Sequence, residues 1–291
     1  MLIADRFELV RSVGNGAGGV VYEALDRHSG APVAVKVLRG DDGGVMRQRF
    51  FREAEVLEQL EHPAIVRYIA HGIAPGGNPY LVMEWLAGTT LAQRVATAVL
   101  SVSDALRVAS RMASALACVH GRDVVHRDVK PSNVVLEFGR IDSVRLVDFG
   151  IARAAGLSNR LTMTGEILGT PGFMAPEQIR GERLVDNRAD LFSLGALLFY
   201  CLVGRAPFGR GDLISVLRAS LRDRAPRLRD LRDDVPGALD ELVAGLLSFD
   251  PNARPASAEE VRTELRLAGT EMQGGASGLY PACPFATTLV G

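Results

Sequence analysis

The pattern of apolar residues changes once along this chain, near Gly88, and that change decides the class of fold. Before it, short runs rich in β-branched and aromatic residues are separated by glycines. Phe7 to Val13, Gly19 to Ala24 and Pro32 to Leu38 read as strands, with a turn at His28-Ser29-Gly30. From Met46 to Leu60 the pattern turns helical, because Phe50, Ala54, Leu57 and Leu60 recur at three- and four-residue spacing. His62-Pro63 closes that helix, since a residue before proline avoids the helical region. Two more strands follow, around Val66–Ile69 and Tyr80–Glu84. After Gly88 the helical spacing takes over, at Ser103 to Arg122, Asp186 to Val203, Asp212 to Ser220, Ala238 to Leu247 and Ala258 to Leu267. Ser101 and Asp104 read as a capping box at the first of these. A strand-rich part followed by a helix-rich part predicts an α+β protein.

Composition narrows the function classes. With 47% hydrophobic residues there is ample material for a core. The 33 basic and 34 acidic residues leave a net charge of −1, so bulk charge points to neither nucleic acid nor a membrane surface. The most apolar run, Leu191 to Val203, is shorter than the roughly 20 residues a bilayer needs and reads as a buried helix. The start, Met1 to Val10, lacks the basic and apolar regions of a signal peptide. Cys118, Cys201 and Cys283 are odd in number and widely spaced, which fits a reducing cytosol, and Cys118 and Cys201 read as small buried hydrophobes. The cytoplasm is therefore the expected location. His28, His62, His71 and His120 have no metal-ligand spacing and read as surface or packing residues. The mixed charges of Arg222 to Asp234 read as a solvated loop. Residues 268–291 are rich in Gly, Ser and Pro and read as a flexible linker or tail, so the chain reads as the front piece of a longer protein.

Two motifs in the strand-rich part suit a phosphate ligand. Gly14-Asn15-Gly16-Ala17-Gly18-Gly19-Val20-Val21 is a glycine string that lets backbone N–H groups approach phosphate. Similar spacing opens dinucleotide-binding units, where a helix follows; here Val20, Val21 and Tyr22 continue as a strand. A plain hairpin turn is the alternative. Lys36, in Val33-Ala34-Val35-Lys36, is costly to bury unless paired. Either it neutralises phosphate with Glu53 or Glu55 as its partner, or it is an ordinary lysine on an exposed strand.

The stretch His126-Arg127-Asp128-Val129-Lys130-Pro131-Ser132-Asn133 is followed by Asp148-Phe149-Gly150 and Ala175-Pro176-Glu177. In that order, after the glycine string and Lys36, these motifs resemble the signature set of the eukaryotic-type serine/threonine protein kinases found in bacteria. The resemblance runs from about Phe7 to Leu267. It implies a two-lobed protein kinase fold over residues 1–267, with a small lobe to about 83, a hinge at about 84–88 and a large helical lobe from about 89. The small lobe is expected to hold a five-stranded sheet and one helix.

The resemblance also implies roles. Asp128 accepts the proton of a substrate hydroxyl, and Lys130 adds positive charge beside it. Asn133 and Asp148 supply oxygens to Mg²⁺, with Mn²⁺ as an alternative. Gly14, Asn15, Gly16 and Gly19 cradle the ATP phosphates, and Lys36 holds them while paired with Glu53. Backbone groups of Glu84 and Leu86 meet the adenine, Val21, Ala34 and Leu136 form its walls, and Met83 stands behind it. The lysine two residues after Asp128, with Thr170, implies serine or threonine as acceptor. Thr162 and Thr164 are implied as regulatory phosphorylation sites, read by Arg127. Asp190 matches an aspartate that braces the catalytic loop, and Arg254 one that pairs with Glu177. Expected partners are protein substrates and a second copy of the chain for autophosphorylation, with no nucleic acid.

Overall fold

A computed structural model describes residues 1–16, 19–38, 44–149, 172–182, 184–209 and 212–272. The chain divides into two compact units, the first drawing its described residues from 1–61 and 65–87 and the second from 62–64, 88–149 and 172 onward. The change of unit at Ala87–Gly88 falls inside the expected hinge, while 62–64 belong to the helical unit rather than the small one.

The first unit is a sheet with one helix. Its strands are β1 (Leu2–Ile3), β2 (Phe7–Gly16), β3 (Gly19–Asp26), β4 (Pro32–Val37), β5 (Tyr68–Ile73) and β6 (Pro79–Glu84), in the order β1-β2-β3-β4-β6-β5. This corrects the expected five strands to six. The extra strand is only two residues long, too short to show alternation, yet Ile3 is fully buried and pairs with Phe7. The helix α1 spans Gly44–Glu58. Alternation sets one face of the sheet: Ala24, Val33, Val35, Tyr80 and Val82 join Ile3 and Phe7 in a core. The β3–β4 turn is locked by Asp26, whose carboxylate takes both Nε and Nη2 of Arg6 at 2.8 Å, the N–H of His28 and the hydroxyl of Ser29. The Arg6 hydrogen bond, foremost, holds the Asp26 carboxyl well below the usual carboxylate range.

The second unit is mainly helical. After strand β7 (Gly88–Thr90) come α2 (Leu91–Thr97) and α3 (Val102–His120). A hairpin of β8 (Val134–Glu137) and β9 (Val144–Leu146) pairs with β7 in the order β7-β8-β9. Then follow α4 (Pro176–Ile179), α5 (Arg188–Val203), α6 (Leu213–Arg222), α7 (Gly237–Leu246) and α8 (Ala258–Met272). The Ser101 hydroxyl accepts the Asp104 N–H at 3.1 Å and caps α3. Helix α3 packs on α5 and α8. Helix α5, the most apolar run of the sequence, is buried on every face. Gly195 lets α7 approach it, since a Cβ there would lie 2.6 Å from the Leu246 Cβ. Cys118 and Cys201 are buried thiols, and burial pushes the Cys201 pKa up.

Two further features depart from the sequence expectation. Helix α8 continues to Met272 rather than ending at Leu267, and Ala268 is fully buried, so the expected tail starts too early. Residues 273–291 lie outside the described residues. The expected solvated loop at 222–234 is partly anchored: Arg232 Nη1 donates to the carbonyls of Leu100 and Leu202, and Arg227 pairs with Asp240 and Glu241. Among the described residues, no helix is long and apolar enough to cross a membrane.

His62 titrates within this fold. Its Nδ1 accepts the Ala64 N–H at 3.1 Å, which leaves Nε2–H to donate to the Ser114 hydroxyl at 3.0 Å. Burial, aided by the charges of Arg111, Arg145 and Arg262, lowers its pKa from 6.5 to about 4. The folded state thus prefers the neutral ring. The stabilisation is complete above the unfolded value of 6.5 and drains as pH falls toward about 4. For a half-buried ring this is worth about 1–2 kcal/mol after solvent screening. Urea denaturation of wild type and His62→Gln at stepped pH checks this. The wild type is expected to lose about 1–2 kcal/mol more than the variant across that window.

Candidate active site

In the helical unit the site is built on a loop that the sequence places between α3 and β8. Three donors meet one buried carboxylate there. Asp190, in the first turn of α5, is fully buried. Its Oδ2 accepts the His126 N–H at 2.8 Å and His120 Nε2 at 2.9 Å, and its Oδ1 accepts the Arg127 N–H at 2.7 Å. The start of a helix is a favourable place for a negative charge. Arg127 is held at φ 63°, in the left-handed region, and Asp148 at φ 62°. Each such residue costs about 1–3 kcal/mol and persists only where its surroundings fix it.

The loop carries Asp128, Lys130 and Asn133 into contact. Lys130 Nζ lies 2.7 Å from Asp128 Oδ2. Asn133 Nδ2 donates to the Asp128 carbonyl and to Asp128 Oδ2, both at 2.9 Å. With both amide hydrogens so engaged, the group Asn133 has left to offer is its oxygen Oδ1. Pro131–Asn133 forms a 3₁₀ turn that leads into β8. The Val147 N–H donates to the Asn133 carbonyl at 2.9 Å, and Val134 pairs with Leu146. Asn133 and Asp148 therefore lie at the same end of the β8–β9 hairpin. Leu136 is fully buried on β8. His126 is buried, and its Nδ1 accepts the Asp128 N–H at 3.3 Å, which only a neutral ring can do. Burial lowers its pKa and favours that neutral form. The Phe149 ring lies 4.7 Å from the His126 ring.

Two supports were not among the expected site residues. His120, read as a surface or packing residue, is hydrogen-bonded to Asp190. Gln178 donates from Nε2 to the Arg127 carbonyl at 3.1 Å. Neither stands in a motif, so only its position in space reveals it. Just beyond, Arg254 makes a bidentate pair with Glu177 at 2.7 and 2.9 Å, both side chains buried. It also donates to the carbonyls of Ser248 and Arg188 at 2.9 Å and of Phe249 at 3.4 Å, so its remaining donors are satisfied.

The first unit carries the other expected residues. Gly14, Asn15 and Gly16 on β2 pair with Val21, Val20 and Gly19 on β3. Gly19 has φ 136°, and a Cβ there would lie 2.2 Å from the Val37 carbonyl oxygen, so only glycine fits. Lys36 pairs across the sheet with Val21 and Leu81, and Ala34 with Met83. Val21, Ala34, Lys36, Leu81 and Met83 thus share the face opposite the core. Glu84 ends β6 and exchanges hydrogen bonds with Arg67: its N–H donates to the Arg67 carbonyl at 2.9 Å, and its Oε1 accepts the Arg67 N–H at 2.7 Å. Leu86 is half-buried. Glu53 lies on α1, but its side chain is outside the described residues, and its rival Glu55 is exposed. Ala17, Gly18, Gly150, Thr162, Thr164 and Thr170 also lie outside them.

Fold and site together define the class: an α+β protein with the protein kinase architecture. Residues 7–265 match the family described as Protein kinase domain, and the chain belongs to that family. It is 35% identical over 289 residues to serine/threonine-protein kinase pkn2 of Myxococcus xanthus, covering 96% of this chain and 34% of that protein. It is 37% identical over 271 residues to serine/threonine-protein kinase PknB of Mycolicibacterium smegmatis, covering 90% of this chain and 43% of that protein. The chain spans between about a third and a half of the length of such relatives. A solved structure of Rad53 1–466 in complex with AMP-PNP matches with a TM-score of 0.74 and 26% identity, over 89% of this chain and 64% of that one.

Substitution of Asp190 tests the loop support. In Asp190→Asn one acceptor oxygen becomes an NH₂ that faces a donor, which leaves buried N–H groups unpaired. A loss of about 2–4 kcal/mol is expected from chemical denaturation followed by circular dichroism.

Proposed function

We propose that this chain transfers the γ-phosphate of ATP to serine and threonine hydroxyls of proteins. The observation that carries the reading is the Asp128 carboxylate, held by Lys130 and Asn133 on a loop fixed by Asp190. Phosphoryl transfer asks for positioning and charge stabilisation more than covalent chemistry. Asp128 accepts the proton of the attacking hydroxyl and aims its oxygen at the phosphorus. Lys130 offsets the negative charge that gathers there. The Ser/Thr assignment rests on the lysine at 130, with Thr170 as its further partner, and on the names of the relatives.

The donor set suits Mg²⁺. Asn133 offers an oxygen, Asp148 a carboxylate, and both lie at one end of the β8–β9 hairpin. The ion neutralises phosphate charge when bound; Mn²⁺ has the same preference for oxygen. Nucleotide binding draws support from the AMP-PNP complex of the similar Rad53 structure, since AMP-PNP is an ATP analogue. Gly14, Asn15, Gly16, Gly19 and Lys36, with Glu53 beside it, are assigned to the phosphates. Val21, Ala34, Leu136 and the backbone of Glu84 and Leu86 are assigned to the adenine. Phosphorylation at Thr162 or Thr164, read by Arg127, is the assigned activating event, with a second copy of the chain as one donor of that phosphate. The cytoplasm is the assigned location.

Asp128→Asn tests the reading. It is expected to lower phosphate transfer to a protein acceptor by roughly 10²- to 10⁴-fold. Mg-ATP affinity by calorimetry is expected to stay near wild type, because the variant keeps the groups assigned to the phosphates. Wild-type turnover in this variant would falsify the role of Asp128.

A further inference from the structure

We propose that Gln178 is a positioning residue that locks the peptide between Arg127 and Asp128 and so aims the Asp128 carboxylate. This rests on the reading of Asp128 as proton acceptor. The peptide in question has two polar groups, and each has a side-chain partner. Its C=O, from Arg127, accepts from Gln178 Nε2 at 3.1 Å, and its N–H, from Asp128, donates to His126 Nδ1 at 3.3 Å. Arg127 is thereby held from both ends, since its own N–H goes to Asp190 Oδ1 at 2.7 Å. It needs holding, because φ is 63° in a residue with a Cβ. Release of the Arg127 carbonyl loosens ψ of Arg127 and φ of Asp128, the torsions that aim the Asp128 side chain. Asp190 does not bind this peptide, because it takes the N–H groups of the two peptides before it.

Gln178 is itself pre-set. Its Oε1 accepts the Ala175 N–H at 3.0 Å, at the N-terminus of α4. The same α4 carries Glu177, whose pair with Arg254 is buried. The amide is thus fixed with Nε2 toward the loop, and the position of α4 is passed to Asp128 through one hydrogen bond. A glutamate at 178 keeps the acceptor for Ala175 but sets a second oxygen against the Arg127 carbonyl. When protonated it donates again, and its pKa is raised by the half-buried site and the facing carbonyl.

The experiment compares wild type, Gln178→Glu and Gln178→Met with dephosphorylated casein and Mg-ATP, and adds amide hydrogen exchange, which needs no turnover. In Gln178→Glu at about pH 8, kcat is expected to fall roughly tenfold with KM for ATP little changed. The ratio of variant to wild-type kcat rises as pH is lowered to about 6, because the protonated carboxyl restores the donor. Exchange in the peptide spanning 126–130 is expected to quicken in both variants at about pH 8. Gln178→Met loses the loop bond as well as the α4 bond and stays impaired at both pH values. A Gln178→Glu protein with wild-type kcat and exchange overturns the proposal, and so does a loss that is equal at both pH values. If wild type transfers no phosphate, the kinase reading fails, and the exchange comparison alone decides the role of Gln178.

Discussion

The structure of the site depends on one buried negative charge. Asp190 is fully removed from water, a placement that is costly unless the charge is fully hydrogen-bonded. Two backbone N–H groups and one imidazole N–H meet it, and the first turn of α5 supports it. This ties the loop at 126–128 to the most buried helix of the molecule. The left-handed Arg127 is tolerable because its N–H donates to Asp190 in a charge-assisted bond at 2.7 Å, among the strong ones. The residue that follows is Asp128, so a constraint deep in the core anchors the loop that carries this half-buried carboxylate, while its own peptide is held by Gln178 and His126.

The other supports act around that anchor. The β8–β9 hairpin sets Asn133 and Asp148 at one end, where two oxygens can serve a hard cation. Phe149 closes over His126, which in turn accepts from Asp128 N–H. The Glu177–Arg254 pair is buried with its remaining donors satisfied, the condition under which such a pair holds geometry rather than weakening the fold. Gln178, the residue after Glu177, links this pair to the loop through one hydrogen bond. Rigid elements therefore support the groups assigned to the reaction, as preorganised charge stabilisation requires.

Much of this was legible in the sequence because periodicity survives burial. Helix α3 was visible from apolar spacing, α5 from the length of its apolar run, and β3, β4 and β6 from their β-branched runs. Short elements were not. Leu2–Ile3, Leu91–Thr97 and the hairpin strands 134–137 and 144–146 are too brief for a pattern to repeat often enough to stand out, and they are fixed by partners distant in sequence. Helix ends were also soft: nothing in Gly269 or Thr270 announces that α8 runs on to Met272, since Ala268 is held by tertiary packing. At the site, the motif residues stood out as a resemblance. Gln178 and His120 did not, because an amide or an imidazole outside a motif has many bland uses. Arg232 misled for the same reason: in a run of mixed charges it read as solvated, while its guanidinium reaches the carbonyls of Leu100 and Leu202.

The central claim is that the loop pinned by Asp190 presents Asp128 to a serine or threonine hydroxyl. Mass-spectrometric phosphosite mapping of the purified wild-type chain with Mg-ATP and a protein acceptor tests it most directly. The account predicts new phosphate on serine and threonine side chains only. Phosphotyrosine as the main product, or no phosphate on any side chain, would contradict it.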